Sequence, residues 1–183
     1  SSKELKKVVG DSVGSKWGKK AKKEPLLECN LQFFADKNGC EPTGATYEGS
    51  IYRSVDSRYN PLEMSQYTIN SNHRYTESGV PGLYFSSGEK IVKAELGNYD
   101  VFDFSNRTMY QYDVRLTNML DVSNPSVRSQ LNISLESIIG ESYDVTHAIG
   151  RYAYSNGYNE IIAPSARADG GINIILFNAK GVK

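Results

Sequence analysis

The stretch His73–Glu95, HRYTESGVPGLYFSSGEKIVKAE, predicts a turn, a short buried strand and a helix in that order. The proline–glycine pair at 81–82 marks the turn, and the apolar run around Tyr84 predicts the strand. This order brings Arg74, Tyr84 and Glu95 to one end of a sheet. An arginine for phosphate, a tyrosine ring for stacking and a carboxylate beside a developing positive charge suit a nucleotide site.

The remainder of the chain from residue 39 onward alternates short strands with short helices. Asn124 followed by Pro125 predicts a helix start, and we also expect Ser87 and Asp144 to cap helices. Residues 56–80 are polar and aperiodic, which predicts a long loop with a task such as covering a ligand. The fold class is therefore α+β, a compact arrangement of mostly antiparallel or mixed β-sheets with flanking helices. Strands are predicted at Ser50–Val55, Gly82–Ser86, Tyr99–Phe104, Tyr110–Leu116, Glu160–Ala163 and Ile172–Phe177, and helices at 87–96, 125–131, 133–140 and 144–156.

Charge divides the chain into two predicted regions, a basic lead at 1–38 and a body at 39–183. The formal net charge of the 183 residues is zero, but residues 1–24 hold eight lysines against three acidic residues, so the rest is acidic. An acidic body does not favour nucleic-acid binding. No apolar run reaches the ~18 residues of a membrane span, and no signal-peptide core precedes the basic segment.

Metal and disulfide chemistry have little support in the composition. The chain has two cysteines, Cys29 and Cys40, and two histidines, so no paired cluster predicts a zinc site. The two thiols are either free or joined in one local disulfide. We expect no metal.

One short motif lies at the junction of lead and body. Residues 30–35, NLQFFA, resemble the junction found just upstream of the C-terminal toxin module in many Gram-positive polymorphic toxins. The resemblance implies that a delivery region ends near residue 35. It also implies a secreted effector that acts in the cytoplasm of a target cell.

Four pieces of the body resemble a known family in order and in spacing. They are IYR at 51–53, HRY at 73–75, GLYFSS at 82–87 with Glu95 following, and PSARADGGINIILF at 164–177. Together they resemble the RES domain, named for an arginine, a glutamate and a serine, whose members include NAD-destroying toxins of toxin–antitoxin pairs. This resemblance implies a RES or ADP-ribosyltransferase-like fold and NAD as substrate, with no separate cofactor. A cognate immunity or antitoxin protein is the implied partner.

By matching position, the resemblance implies a set of site residues. They are Arg53, Arg74, Tyr84, Glu95 and Ser165, with Glu95, Arg53 and Ser165 as catalytic residues and Arg53, Arg74, Tyr84 and Ser165 binding substrate. Tyr75, the aromatic residue that the family usually has after the second arginine, joins the substrate-binding set. Arg167 is either a second phosphate ligand or a surface charge. Family members that degrade NAD often carry an aromatic residue directly after the first arginine, where this chain has Ser54.

The chemistry of these residue types agrees with that implication. Cleavage of the nicotinamide–ribose bond leaves an oxocarbenium-like sugar, which a carboxylate such as Glu95 stabilises. The arginines suit a diphosphate better than lysines would. The nucleophile is water in a glycohydrolase or inorganic phosphate in a phosphorylase, and residue identity does not decide between them.

Two other functions stay open at this level. A mono-ADP-ribosyltransferase breaks the same bond, and its arginine–serine–glutamate subclass has an STS-like strand that Phe85-Ser86-Ser87 imitates. The paired Glu-x-Glu or Gln-x-Glu of that subclass does not lie nearby. A non-catalytic module that binds nucleotides or a partner protein would use the same arginines.

Overall fold

The five strands in the described part of the chain, numbered in chain order, close into a barrel in the order β1-β2-β5-β4-β3. The computed structural model describes residues 41–97 and 104–182. Four strand pairings are antiparallel and one, between β3 and β4, is parallel. The predicted α+β class with mostly antiparallel strands is confirmed. The strands are β1 (Ala45–Asp56), β2 (Leu83–Ser86), β3 (Arg107–Asp121), β4 (Glu160–Pro164) and β5 (Ile172–Leu176).

Two hydrophobic cores share the walls of the barrel. Successive residues of a strand point to opposite faces, so Ile174 and Leu176 of β5 belong to the core inside the barrel. Ile175 belongs instead to a second core between the sheet and the helices. Because both faces of β5 and β4 are covered, these strands are apolar at consecutive positions instead of alternating.

The helices lie in the loops and along one side of the barrel. The last of them, α5 (Asp144–Ser155), buries Val145, Ala148, Ile149, Tyr152 and Ala153 on one face, as its spacing predicts. The helices are α1 (Gln66–Asn70), α2 (Glu89–Glu95), α3 (Pro125–Gln130), α4 (Leu135–Ile139) and α5 (Asp144–Ser155).

Helix starts were predicted with mixed success. Asn124 caps α3 by accepting a hydrogen bond from the Ser126 amide, as predicted. The predicted caps at Ser87 and Asp144 are wrong, because the cap positions are Gly88 and Tyr143, and Asp144 is the first residue of α5. Both errors are single-residue shifts at a helix end, where a side chain with cap chemistry competes with the backbone geometry of its neighbour.

The predicted long loop at 56–80 contains one helix that its composition did not indicate. Ser65 caps α1 by accepting a hydrogen bond from the amide of Thr68. The helix is five residues long and buries none of them, so it has no apolar periodicity to reveal it.

Several predictions lie outside the described residues. They include the basic lead, the junction motif at 30–35, both cysteines, and the predicted strand Tyr99–Phe104 apart from its last residue. Within 41–97 and 104–182, no helix has the length and apolar character needed to cross a bilayer.

Candidate active site

The carboxylate of Glu95, in the last turn of α2, is held by two side chains from other elements. The Ser165 hydroxyl donates a short hydrogen bond to its Oε1. The Asn173 amide donates a second one to the same oxygen at 2.8 Å. Glu95 itself remains exposed to solvent. Two donors on one oxygen fix the orientation of the carboxylate while a substrate can still reach it.

Ser165 is buried in the turn that connects β4 with β5, at 8% exposure. Its Oγ accepts hydrogen bonds from the backbone amides of Arg167 and Ala168, at 3.1 and 3.0 Å. Its own amide donates to the carbonyl of Gly171, which closes the turn. Because the Ser165 oxygen accepts from two amides, its proton is directed to Glu95. The Arg167 side chain is exposed, and only its backbone takes part in this network.

Asn173 is a site residue that the sequence analysis missed. It lies in β5 and pairs with Ser86 of β2. The Ser86 hydroxyl donates to Asn173 Oδ1 at 2.8 Å, which directs the amide NH₂ of Asn173 to Glu95. The alternation of β5 indicates only that Asn173 faces away from Ile172 and Ile174. Its position opposite Ser86 follows from strand pairing, which local sequence does not encode.

Glu95 opens onto a cavity of about 410 Å³ at the β1–β2 side of the barrel. This first cavity brings together Glu95, Arg53 and Tyr84 from the predicted set, and its wall also includes Arg107 and Asn173. Arg74, Tyr75, Ser165 and Arg167 are not part of the wall. The full lining is Tyr52, Arg53, Ser54, Val55, Asp56, Tyr59, Tyr84, Phe85, Ser86, Val92, Glu95, Leu96, Arg107 and Asn173.

Arg53 is partly buried and contributes its guanidinium to the wall of the first cavity. Its Nη1 donates to the carbonyl of Tyr84 at 3.0 Å, and its Cζ lies 5.7 Å from the centroid of the Phe85 ring. Its Nε is buried and has no hydrogen-bond partner. Burial, together with the nearby charge of Arg107, lowers the pKa of Arg53 to about 10. An anion in the cavity would offset both the desolvation of the Arg53 guanidinium and its repulsion by Arg107, so Arg53 is suited to bind one.

Arg107 is a second site residue that the sequence analysis missed. It is the first residue of β3 and pairs with Asp56 at the end of β1. Its Nε donates to Ser54 Oγ at 2.9 Å, and its Nη2 donates to the Ser54 carbonyl at 2.6 Å. Ser54 therefore occupies the position after the first arginine and anchors another cation there. Arg107 lies 53 positions after Ser54, so no local signal predicts this contact. Only the β1–β3 register brings Arg107 to the cavity.

Arg74 binds a different part of the molecule. Its Nη1 donates to the carbonyls of Ile138 and Gly140, at 3.2 and 2.6 Å, so it satisfies the end of α4. Its Cζ lies 4.8 Å from the centroid of the Tyr143 ring. The guanidinium thus connects the loop after α1 to the segment between α4 and α5.

Tyr84 connects the first cavity to the segment that contains Arg74. The Tyr84 hydroxyl accepts from the Tyr75 amide at 2.9 Å and lies 3.0 Å from Thr76 Oγ1. Burial raises the pKa of Tyr84 to about 12, so it is a neutral phenol. Tyr75 is packed in the core at 2% exposure. The turn at Gly82 is tight, because an added Cβ would lie 2.6 Å from Thr76 Cγ2.

The sequence model of the RES domain family matches residues 44–183. The chain belongs to the RES domain family. The match contains every predicted site residue, and the family resemblance inferred from the four sequence pieces is confirmed. The delivery context inferred from the junction motif stays a prediction.

A solved structure similar to this RES domain is the crystal structure of the M. tuberculosis MbcT–MbcA toxin–antitoxin complex. The TM-score is 0.60 at 13% sequence identity, over 84% of this chain and 81% of that one. At this identity the similarity supports the fold. A comparison with curated proteins gave no match.

Proposed function

We propose that this RES domain is a toxin that depletes NAD by cleaving its nicotinamide–ribose bond. The observation that carries the proposal is the placement in one cavity of the fixed carboxylate of Glu95 and the guanidinium of Arg53, which makes one hydrogen bond within the described residues. Membership of a family that includes NAD-degrading toxins supports the same reaction.

The proposed step is a heterolysis at the ribose carbon. The electron pair of the C–N bond moves to the nicotinamide nitrogen, so the positive pyridinium leaves as a neutral ring. The sugar carbon becomes oxocarbenium-like, and the Glu95 carboxylate stabilises that charge. Water then adds to the carbon and releases a proton, which gives ADP-ribose; inorganic phosphate would give the sugar phosphate instead.

The arginines of the first cavity would position the diphosphate. The Arg53 guanidinium lies in the cavity wall and makes one hydrogen bond, from Nη1 to the Tyr84 carbonyl, and Arg107 adds positive charge to the same wall. Ser54 holds the guanidinium of Arg107 through two hydrogen bonds. A preoriented guanidinium loses less conformational freedom on binding than a free one.

The proposed partner is an immunity or antitoxin protein that covers the cleft. The similar M. tuberculosis structure is that of a toxin–antitoxin complex, and the cavity with Glu95 at its mouth is open to solvent. Delivery as a secreted effector into the cytoplasm of a target cell belongs to the same proposal and is supported by the junction motif at 30–35.

A time course of NAD with purified protein, followed by HPLC or NMR with and without phosphate, tests the reaction. We expect nicotinamide in large molar excess over protein without any acceptor, and the second product identifies the nucleophile. Glu95→Gln should lower turnover roughly 10²-fold or more. Glu89→Gln makes the same change on the same helix outside the cavity wall and should retain turnover.

Two results would redirect the proposal. Nicotinamide release that needs a protein or nucleic-acid acceptor and stops at one equivalent of that acceptor would indicate an ADP-ribosyltransferase. Equal behaviour of Glu95→Gln and Glu89→Gln, with NAD bound but not consumed, would indicate a non-catalytic binding module.

A further inference from the structure

A second cavity, of about 480 Å³, lies beside the first. The two cavities share Arg53, Val55 and Tyr59. The remainder of the second wall comes from the loop after β1 and from α1. Its lining is Arg53, Val55, Tyr59, Asn60, Glu63, Ser65, Tyr67 and Thr68.

Two tyrosines in this wall are unusually open to solvent. Tyr67 is 84% exposed and Tyr59 is 58% exposed. An exposed aromatic ring in a cavity wall provides a flat surface on which a nucleobase stacks. Neither ring is needed for the hydrophobic cores, so their exposure is not explained by packing.

Arg53 lies in the walls of both cavities, which indicates how a dinucleotide would lie across them. In a dinucleotide the diphosphate lies between two nucleosides, and Arg53 lies between the cavity that contains Glu95 and the cavity that contains Tyr67. We propose that the second cavity binds the adenosine half of the substrate while the first holds the nicotinamide riboside. This inference rests on the proposed function and assigns a task to the long polar loop at 56–80.

Glu63 adds a negative charge to the wall of the second cavity. Its carboxylate lies in the wall with the hydroxyls of Ser65 and Thr68, and it can accept hydrogen bonds from ribose hydroxyls. A 2′-phosphate on that ribose would bring like charges together. The site should therefore prefer NAD to its 2′-phosphorylated form, NADP.

Removal of the Tyr67 ring tests the stacking surface. We expect Tyr67→Ala to raise the KM for NAD and the Kd for ADP-ribose roughly tenfold. The KM for nicotinamide mononucleotide, which lacks the adenosine half, should stay unchanged. Tyr154→Ala removes another half-exposed ring, outside both cavity walls, and should change neither constant.

Neutralisation of Glu63 tests the selectivity. We expect Glu63→Gln to narrow the ratio of kcat/KM for NAD over NADP by about three- to tenfold, because solvent screens the charge of an exposed carboxylate. Glu48→Gln, an exposed glutamate of β1 outside both cavity walls, should leave the ratio unchanged.

Separate measurements of ADP-ribose binding and of nicotinamide release distinguish failure of this inference from failure of the proposed function. ADP-ribose is not consumed, so its binding, measured by isothermal titration calorimetry, is independent of catalysis. Equal Kd values for the parent protein and Tyr67→Ala, or no binding to either, would overturn the adenosine site. Absence of nicotinamide release with ring-dependent ADP-ribose binding would reject the reaction and retain the site.

Discussion

Arg53 and Arg74 are both candidates for a phosphate clamp, yet their surroundings differ. Arg53 lies in the wall of the first cavity with a buried Nε that has no hydrogen-bond partner. Arg74 donates to two carbonyls at the end of α4 and lies over the Tyr143 ring. The guanidinium of Arg53 can still donate hydrogen bonds to a ligand. The guanidinium of Arg74 donates to backbone carbonyls and so joins two segments of the protein.

From this difference we infer that an arginine can bind a ligand only with the donors that the fold leaves without an acceptor. A guanidinium whose donors meet backbone carbonyls already contributes to stability. A buried donor without an acceptor costs free energy, and a ligand anion is the group that recovers it. The four variants below test this contrast.

The largest effect is expected in the region around Arg74. Gly150 of α5 packs against the backbone beside Arg74, and an added Cβ would lie 1.7 Å from the carbonyl oxygen of Tyr75. Gly150→Ala should lower the free energy of unfolding by about 3 kcal/mol or more, since backbone cannot move aside cheaply. Chemical denaturation measures it. A glycine-to-alanine change inside a helix normally stabilises by about 1 kcal/mol, so a rise in stability would reject the tight contact.

Arg53→Lys should affect activity and leave stability nearly intact. Lysine keeps the charge but loses the planar array of donors, so we expect kcat/KM for NAD to fall about 100-fold. The free energy of unfolding should change by less than about 1 kcal/mol, because a single hydrogen bond to the Tyr84 carbonyl is lost. A larger loss of stability with activity retained would reverse the roles of the two arginines.

Arg74→Ala should show the opposite pattern. The carbonyls of Ile138 and Gly140 lose their donor, and the free energy of unfolding should fall by about 1–3 kcal/mol. Steady-state kinetics at a temperature where the variant is fully folded should give an unchanged KM for NAD. A raised KM with an unchanged unfolding midpoint would restore Arg74 as a substrate clamp.

The smallest effect concerns Glu160, a buried carboxyl group outside both cavity walls. Its Oε2 has no hydrogen-bond partner, and burial raises its pKa to about 7 from an ordinary value of 4.5. Between these two pH values the unfolded state has released the proton and the folded state retains it. The contribution of Glu160 to stability is therefore present below pH 4.5 and is lost as pH rises through 7.

Glu160→Gln should remove this pH-dependent loss. Relative to the parent protein, its free energy of unfolding should therefore rise by on the order of 1 kcal/mol between pH 5 and pH 8. Denaturation midpoints of both proteins at the two pH values measure the difference. Parallel pH dependence of the two proteins would show that the Glu160 carboxyl is already hydrated. Turnover should be unaffected, which separates a buried unpaired group in the core from Arg53 in the cavity.

Much of the fold was predictable because its elements carry local signals. The buried strand around Tyr84, the cap at Asn124 and the apolar face of α5 all follow from side-chain periodicity and hydrogen-bonding chemistry within a few residues. The exposed α1 lacks such a signal and was not predicted. Closure of the barrel was not predicted either, because it depends on which strands pair.

The sequence by itself determined the family, the α+β class and the candidate carboxylate Glu95, since motifs and periodicity are properties of neighbouring residues. Only the tertiary structure decided which groups surround that carboxylate. Asn173 reaches it through the pairing of β2 with β5, and Arg107 reaches the cavity through the β1–β3 register. Arg74 is drawn instead to the carbonyls of α4. The physical reason is that a side chain's partners are set by contacts between residues distant in sequence.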